Sequence, residues 1–239
     1  AVHALPRIGV ISTGDELVLP GHDLSGGQIH DVNRFTLPAV IAAHGGLIRH
    51  LPTVGDRIED VRAALAAAAD ADLVVFTGGS SVGDRDLVAL VVGERGEVIF
   101  HGVAMKPGKP TLLARLTPRG GGDSGEGGSA QATLFLGLSG NPTSCLANAY
   151  ILLVPMLRAM ARLPPWRPQR TTATLARDIG ALADRHQFYP VRLEGETAVA
   201  AFKGSGEITS LSRADGYVEV PAGTAGIPAG TVVTVTLFH

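Results

Sequence analysis

The chain has 239 residues, of which 45% are hydrophobic, so it can bury the core of one large domain or two smaller ones. Its formal net charge of −2 excludes a general basic surface for nucleic acid, and any anion site must therefore be local. No apolar run approaches the roughly 20 residues of a membrane-spanning helix, so we predict no membrane contact.

Apolar runs and amphipathic stretches alternate through the first two thirds of the chain. The runs predict buried strands, and apolar residues at helical spacing predict helices. A first helix should start with Asn33 as its cap, carry Pro38 near its first turn, and end at Gly45–Gly46. The alternation indicates an α/β fold, a three-layer, mostly parallel sheet with helices on both faces. The strands are predicted at residues 7–12, 48–54, 73–77, 97–103, 111–116 and 133–138, and the later helices at 58–69, 86–92 and 143–161.

The pattern changes after Leu163-Pro164-Pro165, which is typical of a domain linker. Short alternating runs separated by Gly and Pro then predict a small antiparallel β-barrel or sandwich of roughly 70 residues. We therefore expect an α/β domain at residues 1–163 and a β-barrel domain at 164–239. Residues 118–130 are rich in Gly, Ser and acidic residues, which predicts a surface hairpin tip.

Polar loops follow three of the predicted strands. They comprise Thr13–Glu16 after the first strand, Asp56 after the second, and residues 78–86 after the third. Ligands of parallel sheets bind beyond the carboxyl ends of the strands. The three loops are therefore predicted to share one edge and form one site.

The segment Met105–Pro110, Met-Lys-Pro-Gly-Lys-Pro, is the most informative stretch of the sequence. Pro107 fixes φ and Gly108 permits a sharp turn, so the ammonium groups of Lys106 and Lys109 can converge on one point. This arrangement favours a pocket for a small, doubly charged oxyanion. The alternative is a solvated turn with two surface lysines.

Two further loops favour an anion. The glycine-rich turn at residues 78–83 links a strand to a helix, where backbone N–H groups attract phosphate, although a tight turn with a Ser cap is the alternative. Residues 140–144, Gly-Asn-Pro-Thr-Ser, open the long helix with Pro142 in its first turn and offer a second cradle.

Cys145 is the only cysteine, which excludes an internal disulfide and a multi-thiolate metal site. It lies in the first turn of the long helix, where a thiol pKa can fall, but a buried and inert thiol is the favoured interpretation. A chain with one thiol fits a reducing compartment, and we expect it to be cytoplasmic.

Several carboxylates fall in the loops at the predicted sheet edge. Together they suit a hard cation such as Mg²⁺, which takes oxygen ligands and substrate phosphates. Singly, each is better explained as a cap or a turn former. These residues are Asp15, Glu16, Asp31, Asp56, Asp84 and Asp86.

Other enzyme motifs match poorly. Residues 79–83 fit G-x-S-x-G, which raises a serine hydrolase with Ser81 as nucleophile, but too few strands precede the motif. Residues 102–111 miss the P-loop spacing by one residue, and Pro110 stands where Ser or Thr would bind magnesium. No G-x-G-x-x-G follows the first strand, which disfavours a dinucleotide site.

The motifs taken together resemble the molybdopterin molybdenumtransferase family, the molybdenum insertases of MoeA and gephyrin E-domain type. The order and spacing match through residues 7–160, and residues 185–188 and 214–216 resemble the family's small β domain more weakly. Ser80 and Ser139 depart from the family pattern, and family members carry two further domains ahead of this region. The matching segments are residues 12–17, 27–33, 54–56, 77–86, 105–110 and 137–142.

The resemblance implies a molybdopterin-binding, MogA-like α/β fold and a reaction. The family inserts molybdenum from molybdate into adenylylated molybdopterin and releases AMP in a Mg²⁺-dependent step. Asp56 and Asp86 would serve the magnesium–phosphate chemistry, while Lys106, Lys109 and Ser81 would hold molybdate. The remaining implied binding residues lie in the loops and the β domain: Thr13, Gly14, Asp15, Glu16, Asp31, Asn33, Gly78, Gly79, Gly83, Pro107, Gly108, Gly140, Asn141, Pro142, Ser144 and Arg185.

The resemblance also implies partners and leaves alternatives. The partners are the pterin and molybdate, a second copy in a homodimer, and a molybdopterin adenylyltransferase or apo-molybdoenzymes. A molybdopterin adenylyltransferase shares the α/β domain, but the trailing β domain and the paired lysines favour the insertase. A non-catalytic molybdopterin-binding module is the third alternative.

Overall fold

The computed structural model describes residues 2–78, 84–117, 132–201 and 211–238, with the backbone alone at residues 84–86. The hairpin tip predicted at residues 118–130 lies outside the described residues. Up to Met160 the elements are, in chain order, β1 (Arg7–Ser12), β2 (Leu17–Val18), β3 (Ile29–His30), α1 (Asn33–Ala43), β4 (Leu47–His50), α2 (Ile58–Ala67), β5 (Leu73–Thr77), α3 (Asp84–Arg95), β6 (Gly96–His101), β7 (Met105–Lys106), β8 (Leu112–Leu116), β9 (Thr133–Leu138), α4 (Pro142–Asn148), a π-helical turn (Ala149–Leu153) and α5 (Val154–Met160).

A six-stranded sheet forms the centre of the first domain, in the order β4-β1-β5-β9-β8-β6. The first four of these strands are parallel, β8 runs antiparallel to β9, and β6 runs antiparallel to β8. The central strands are buried on both faces, which is why their sequences are nearly continuous apolar runs. The predicted α/β class with a mostly parallel sheet is confirmed.

Successive strand residues point to opposite faces, and each face has its own core. Phe76 and Phe135 pack beneath α2 and α3 with ring centroids 5.8 Å apart. Val75 and Leu136 point the other way, beneath α1 and the helix that begins at Pro142. The helices therefore cover both faces and leave the carboxyl ends of the strands for loops.

The helix that begins at Pro142 runs unbroken to Met160 through the π-helical turn. This wide turn comes just before Pro155, which has no N–H to donate, so the helix accommodates a proline. At 19 residues it is long and apolar enough to cross a bilayer, but its Leu153 and Leu157 are fully buried against the sheet. It is the core helix of this domain.

The second domain is a closed, five-stranded barrel. Its strand β12 (Thr197–Ala200) pairs with β10 (Arg170–Leu175) on one side and with β11 (His186–Glu194) on the other, which closes the sheet. The β10–β12 pair is parallel, unlike the antiparallel arrangement predicted from the sequence. Val191, Val218 and Val235 fill the interior. Its elements are β10 (Arg170–Leu175), β11 (His186–Glu194), β12 (Thr197–Ala200), a 3₁₀ turn (Leu211–Arg213), β13 (Gly216–Val220) and β14 (Val232–Leu237).

The two domains share one strand. β7 begins the two-lysine segment, residues Met105–Pro110. It pairs in parallel with the beginning of β11, with Met105 opposite His186 and Lys106 opposite Gln187. The N–H of His186 also donates to the carbonyl of Ala104 at 2.9 Å. The segment thus belongs to the first domain by sequence and to the barrel's sheet by hydrogen bonding.

Three details of the helices and strands predicted for the α/β domain were wrong. Asn33 is the first residue of α1 and not its cap, since Val32 occupies the cap position; Pro38 therefore lies in the second turn. The predicted strand at 48–54 ends at His50, because Pro52 cannot donate to a ladder, and Val54 forms only an isolated bridge to Thr13. The helix predicted at 86–92 runs from Asp84 to Arg95.

Candidate active site

A cavity of about 300 Å³ lies between the two domains, and three cationic side chains line it. Lys106 and Lys109 come from the two-lysine segment and Arg185 from the residue just before β11. The structure thus brings together the two lysines paired by the sequence and the arginine that the resemblance implied. Pro107 and Gly108 line the same cavity.

The turn between the two lysines is tightly held. Its Lys106–Pro107 peptide bond is cis, and Gly108 has φ +98°, in the left-handed region that favours glycine. The carbonyl of Lys109 accepts hydrogen bonds from the N–H groups of Val103 at 2.9 Å and Thr111 at 3.0 Å. These hydrogen bonds order the backbone of the turn, but the side chains of Lys106 and Lys109 are both exposed, as the alternative of a solvated turn with two surface lysines also predicts.

Arg185 is paired as well as exposed to the cavity. Its Nε donates to Asp184 Oδ1 at 2.9 Å, and its Nη2 donates to Asp184 Oδ2 at 2.5 Å. This pairing lowers the pKa of Asp184 and raises that of Arg185, and Lys109 adds a smaller lowering effect on the carboxyl pKa. An arriving anion would compete with Asp184 for the guanidinium.

The start of the long helix forms another part of the cavity wall. Asn141 is its cap, and its side chain accepts a hydrogen bond from the N–H of Ser144 at 3.1 Å. Pro142 occupies the first turn, as predicted. Asn141, Thr143 and Ser144 line the cavity, so the loop after β9 meets the lysine turn there.

Two carboxylates lie together where β1 and β4 lead into their loops. The N–H of Asp15 donates to Asp56 Oδ2 at 3.3 Å, and the N–H of Asp56 donates to Asp15 Oδ1 at 3.4 Å. Thr13 Oγ1 donates to the other oxygen of Asp56 at 2.8 Å. Glu16 folds back over Gly14, where a Cβ would come within 2.6 Å of its carboxylate.

A chain of contacts joins these carboxylates to the cavity wall. Thr13 donates its N–H to the carbonyl of Thr77 at 2.8 Å, and a Cβ on Gly78 would lie 2.1 Å from the Thr13 carbonyl. Asn33 Nδ2 then bridges Thr77 Oγ1 and the carbonyl of Gly140, each at 2.8 Å. The Thr13–Glu16 loop, Asp56 and Gly78, which is the described start of the third loop, therefore lie at one edge of the sheet, although Asp15 and Asp56 do not line the cavity itself.

Other residues predicted for binding have contacts within the protein. Asp31 is 2% exposed, and its carboxylate accepts from the N–H of Arg34 at 3.0 Å and from Thr53 Oγ1 at 3.2 Å. Asn33 is 6% exposed and spends its amide N–H groups on the bridge just described. Both residues therefore stabilise the loops at this edge of the sheet through hydrogen bonds within the protein.

Part of the predicted site lies outside the described residues, namely Gly79, Ser81, Gly83 and the side chain of Asp86. Among the side chains that the structure does describe, no group of three or more His, Cys, Asp or Glu is placed to hold a metal ion. The predicted pairing of Asp56 with Asp86 at a metal stays a prediction.

The thiol of Cys145 is fully buried and donates to Thr77 Oγ1 at 3.7 Å. Burial raises its pKa to about 12, so the thiol stays protonated at neutral pH. This confirms the interpretation of an inert thiol.

Sequence reasoning missed the part of the cavity lining that comes from β11. This part comprises Gln187, Phe188, Tyr189 and Pro190. Residues 185–188 were identified only by a weak resemblance to the family's small β domain, since alternation does not reveal that β11 borders a second domain. The pairing with β7 is what brings these side chains beside the lysine turn.

Two family models match separate parts of the chain. Residues 9–159 match a family described as "Probable molybdopterin binding domain", and residues 172–238 match "MoeA C-terminal region (domain IV)". A molybdopterin molybdenumtransferase of Haemophilus influenzae is 31% identical over 98% of this chain and 56% of its own length. A molybdopterin molybdenumtransferase 2 of Mycobacterium tuberculosis is 32% identical over 96% and 56%.

A solved structure of a MoeA protein from Pyrococcus horikoshii superposes with a TM-score of 0.81 at 38% identity, over 98% of this chain and 55% of that one. The chain spans about half the length of the relatives it matches.

Proposed function

The chain belongs to the molybdopterin-binding family in its MoeA-like form, and on this premise we propose that it acts as a molybdopterin molybdenumtransferase in molybdenum cofactor biosynthesis. The proposed reaction inserts molybdenum from molybdate into adenylylated molybdopterin and releases AMP. The observation that carries the proposal is the cavity between the domains, which is lined by Lys106, Lys109 and Arg185.

Molybdate is proposed to bind among these cations. A dianion loses its hydration when it enters a cavity, and charge-assisted hydrogen bonds worth about 1.5–3 kcal/mol each offset that loss. Ser144, in the first turn of the long helix, also lines the cavity. The N–H groups at the start of a helix favour negative charge, so the α/β domain would supply this helix start and the lysines, and the barrel would supply Arg185.

The apolar lining of the cavity supports a larger substrate than molybdate alone. Phe188 is an aromatic residue of this lining, and Pro107 and Pro110 line the same cavity. Such surface suits a planar heterocycle, and adenylylated molybdopterin contains two of them. The loops at residues 78–83 and 140–144 are proposed to hold the pterin and its phosphate.

A magnesium ion is proposed to bind at Asp56 and Asp86. Mg²⁺ is commonly held by one or two carboxylates together with substrate phosphates. The carboxylate of Asp56 accepts a hydrogen bond from the backbone N–H of Asp15, and the carboxylate of Asp15 accepts one from the backbone N–H of Asp56. Bound there, the ion would polarise the phosphoanhydride whose cleavage releases AMP. Asp15 and Thr13 would keep Asp56 oriented.

The strand shared between the domains favours the molybdenumtransferase over its nearest rival. A molybdopterin adenylyltransferase would need only the α/β domain, whereas here β11 of the barrel holds the lysine segment and Arg185 adjoins it. A non-catalytic pterin-binding module is the second candidate. We further propose a cytoplasmic homodimer that works with a molybdopterin adenylyltransferase and apo-molybdoenzymes.

The deciding experiment incubates the chain with adenylylated molybdopterin, molybdate and Mg²⁺, and measures AMP by mass spectrometry. Release of AMP that depends on molybdate and Mg²⁺ supports the transferase. Binding of the adenylylated pterin without AMP release supports the non-catalytic module. Covalent labelling of Ser81 by a fluorophosphonate would instead support a hydrolase.

A further inference from the structure

Asn148, on the long helix of the α/β domain, contacts the turn between Lys106 and Lys109. It is the last residue of α4 and is fully buried. Its Nδ2 donates to the carbonyl of Gly108 at 3.2 Å and to Thr111 Oγ1 at 3.0 Å. Thr111, also fully buried, donates its hydroxyl to the same Gly108 carbonyl at 2.8 Å. The Asn148 amide, the Thr111 hydroxyl and the Gly108 carbonyl therefore form a triangle of three hydrogen bonds.

The contact is close as well as polar. A Cβ on Gly108 would lie 2.0 Å from Nδ2 of Asn148 and 2.2 Å from its Oδ1, so the amide packs against the glycine. Oδ1 of Asn148 is buried and lacks a partner among the described residues. An uncompensated polar atom has a cost in free energy, which the two donated hydrogen bonds offset. The two hydrogen bonds donated by Nδ2 therefore fix the position of the Asn148 side chain.

The triangle fixes the turn from the side of the α/β domain, while the pairing of β7 with β11 fixes it from the barrel. Gly108 lies one residue before Lys109 and two after Lys106, so a shift of its carbonyl moves both cations. We infer that Asn148 and Thr111 are positioning residues that set the spacing of the two ammonium groups for a tetrahedral oxyanion. This inference rests on the proposed function, because it takes molybdate to be the ligand.

Matched variants of Thr111 test the inference on the full chain. Thr111→Val keeps the shape of the side chain and removes both hydrogen bonds, whereas Thr111→Ser keeps the hydroxyl. Asn148→Leu removes the amide donor at similar volume. Two measurements are made on each: molybdate affinity by calorimetry, and hydrogen–deuterium exchange of residues 103–112, with residues 133–138 of β9 as an internal reference.

We expect Thr111→Val and Asn148→Leu to weaken molybdate binding about tenfold and to speed exchange in residues 103–112 but not in β9. Thr111→Ser should stay within about twofold of the unmodified chain in affinity, with its exchange unchanged. Rescue by the retained hydroxyl separates a specific hydrogen bond from a general loss of packing. Melting temperatures identify any variant that fails to fold, and Thr111→Val provides the test if Asn148→Leu does.

The two readouts separate failure of this inference from failure of the proposed function. Unchanged exchange in both Thr111→Val and Asn148→Leu would overturn the positioning role, whatever happens to affinity. Faster exchange with unaltered molybdate affinity would also overturn it, because the turn could then loosen without disturbing the site. An unmodified chain that does not bind molybdate would overturn the proposed ligand and, with it, the role assigned here.

Discussion

Lys106 of the α/β domain is the parallel register partner of Gln187 in the barrel. A lysine of one domain therefore owes its backbone position to a strand of the other. Arg185 lies two residues before Gln187, so the same short pairing brings the third cation to the cavity. The cationic side chains that line the cavity therefore come from both domains.

The lysines should dominate molybdate affinity. Lys106→Ala and Lys109→Ala are each expected to weaken binding about 10- to 100-fold, since each removes a charge-assisted hydrogen bond. Calorimetry with sodium molybdate measures the change. Arg115→Ala, at an exposed cation of β8, is a control for net charge and should leave the affinity unaltered. A double lysine variant that binds as tightly as the unmodified chain would rule out the assignment.

The carboxylates should control AMP release and not pterin binding. Asp56→Asn keeps an acceptor for Thr13 Oγ1 but lacks the negative charge that a divalent cation requires. We expect it to slow AMP release by at least about tenfold at fixed Mg²⁺. Asp86→Ala is expected to block AMP release while adenylylated pterin still binds. Turnover at the unmodified rate in either variant contradicts the magnesium assignment.

Gly78 should tolerate no side chain. It has φ +120°, and a Cβ would lie 2.1 Å from the carbonyl of Thr13, so Gly78→Ala must displace the β1 loop. We expect a loss of roughly 2 kcal/mol or more in the free energy of unfolding. Urea titration measures this. The matched control is Gly93→Ala, in the exposed part of α3 with nothing within 4 Å of a Cβ, which should be neutral or stabilising. Equal stability of the two variants would contradict the close approach.

Cys145 should make the protein less stable at alkaline pH. Its pKa in the folded state is raised to about 12, whereas a thiol in an unfolded chain titrates near ~8.5. The folded state favours the protonated thiol. The resulting contribution to the free energy of unfolding is therefore complete below the pKa of the thiol in the unfolded chain, and it declines as the pH rises towards its pKa in the folded protein. The decline should approach about 1.4 kcal/mol per pH unit.

Urea titrations of the unmodified chain and of Cys145→Ala, between pH 7 and pH 11, isolate that contribution. Their difference in stability should narrow or reverse above about pH 9, since alanine has no proton to lose. Iodoacetamide should modify the thiol only when the chain unfolds. A constant difference across the pH range, or rapid alkylation of the folded protein, would show that the thiol is accessible.

The sequence revealed most of the α/β domain because its strands are buried on both faces. β5 and β9 were predicted to the residue, since a continuous apolar run has clear ends. The two-lysine turn was recognisable from Pro107 and Gly108, whose backbone preferences are local. Physical chemistry confined to a few neighbouring residues was sufficient for these features.

Features that depend on distant partners could not be predicted. β7 has two residues and no alternation of its own, so its pairing with β11 depends on how the domains meet. Asn148 reads as an ordinary helical residue, and only folding brings its amide within reach of the Gly108 carbonyl, 40 positions away in the sequence. Asn33 was mistaken for a cap because its true partners, Thr77 and Gly140, lie on later elements.

The strand lent by the first domain limits how far this protein can be dissected. A barrel produced alone from residue 164 onward would leave the first part of β11 as a bare edge, with the N–H of His186 deprived of the Ala104 carbonyl. Open edges of this kind invite pairing with other chains. Cleavage at the proline-rich linker would thus release a fragment prone to self-association. The boundary that is visible in the sequence therefore does not mark two parts that are each complete when folded.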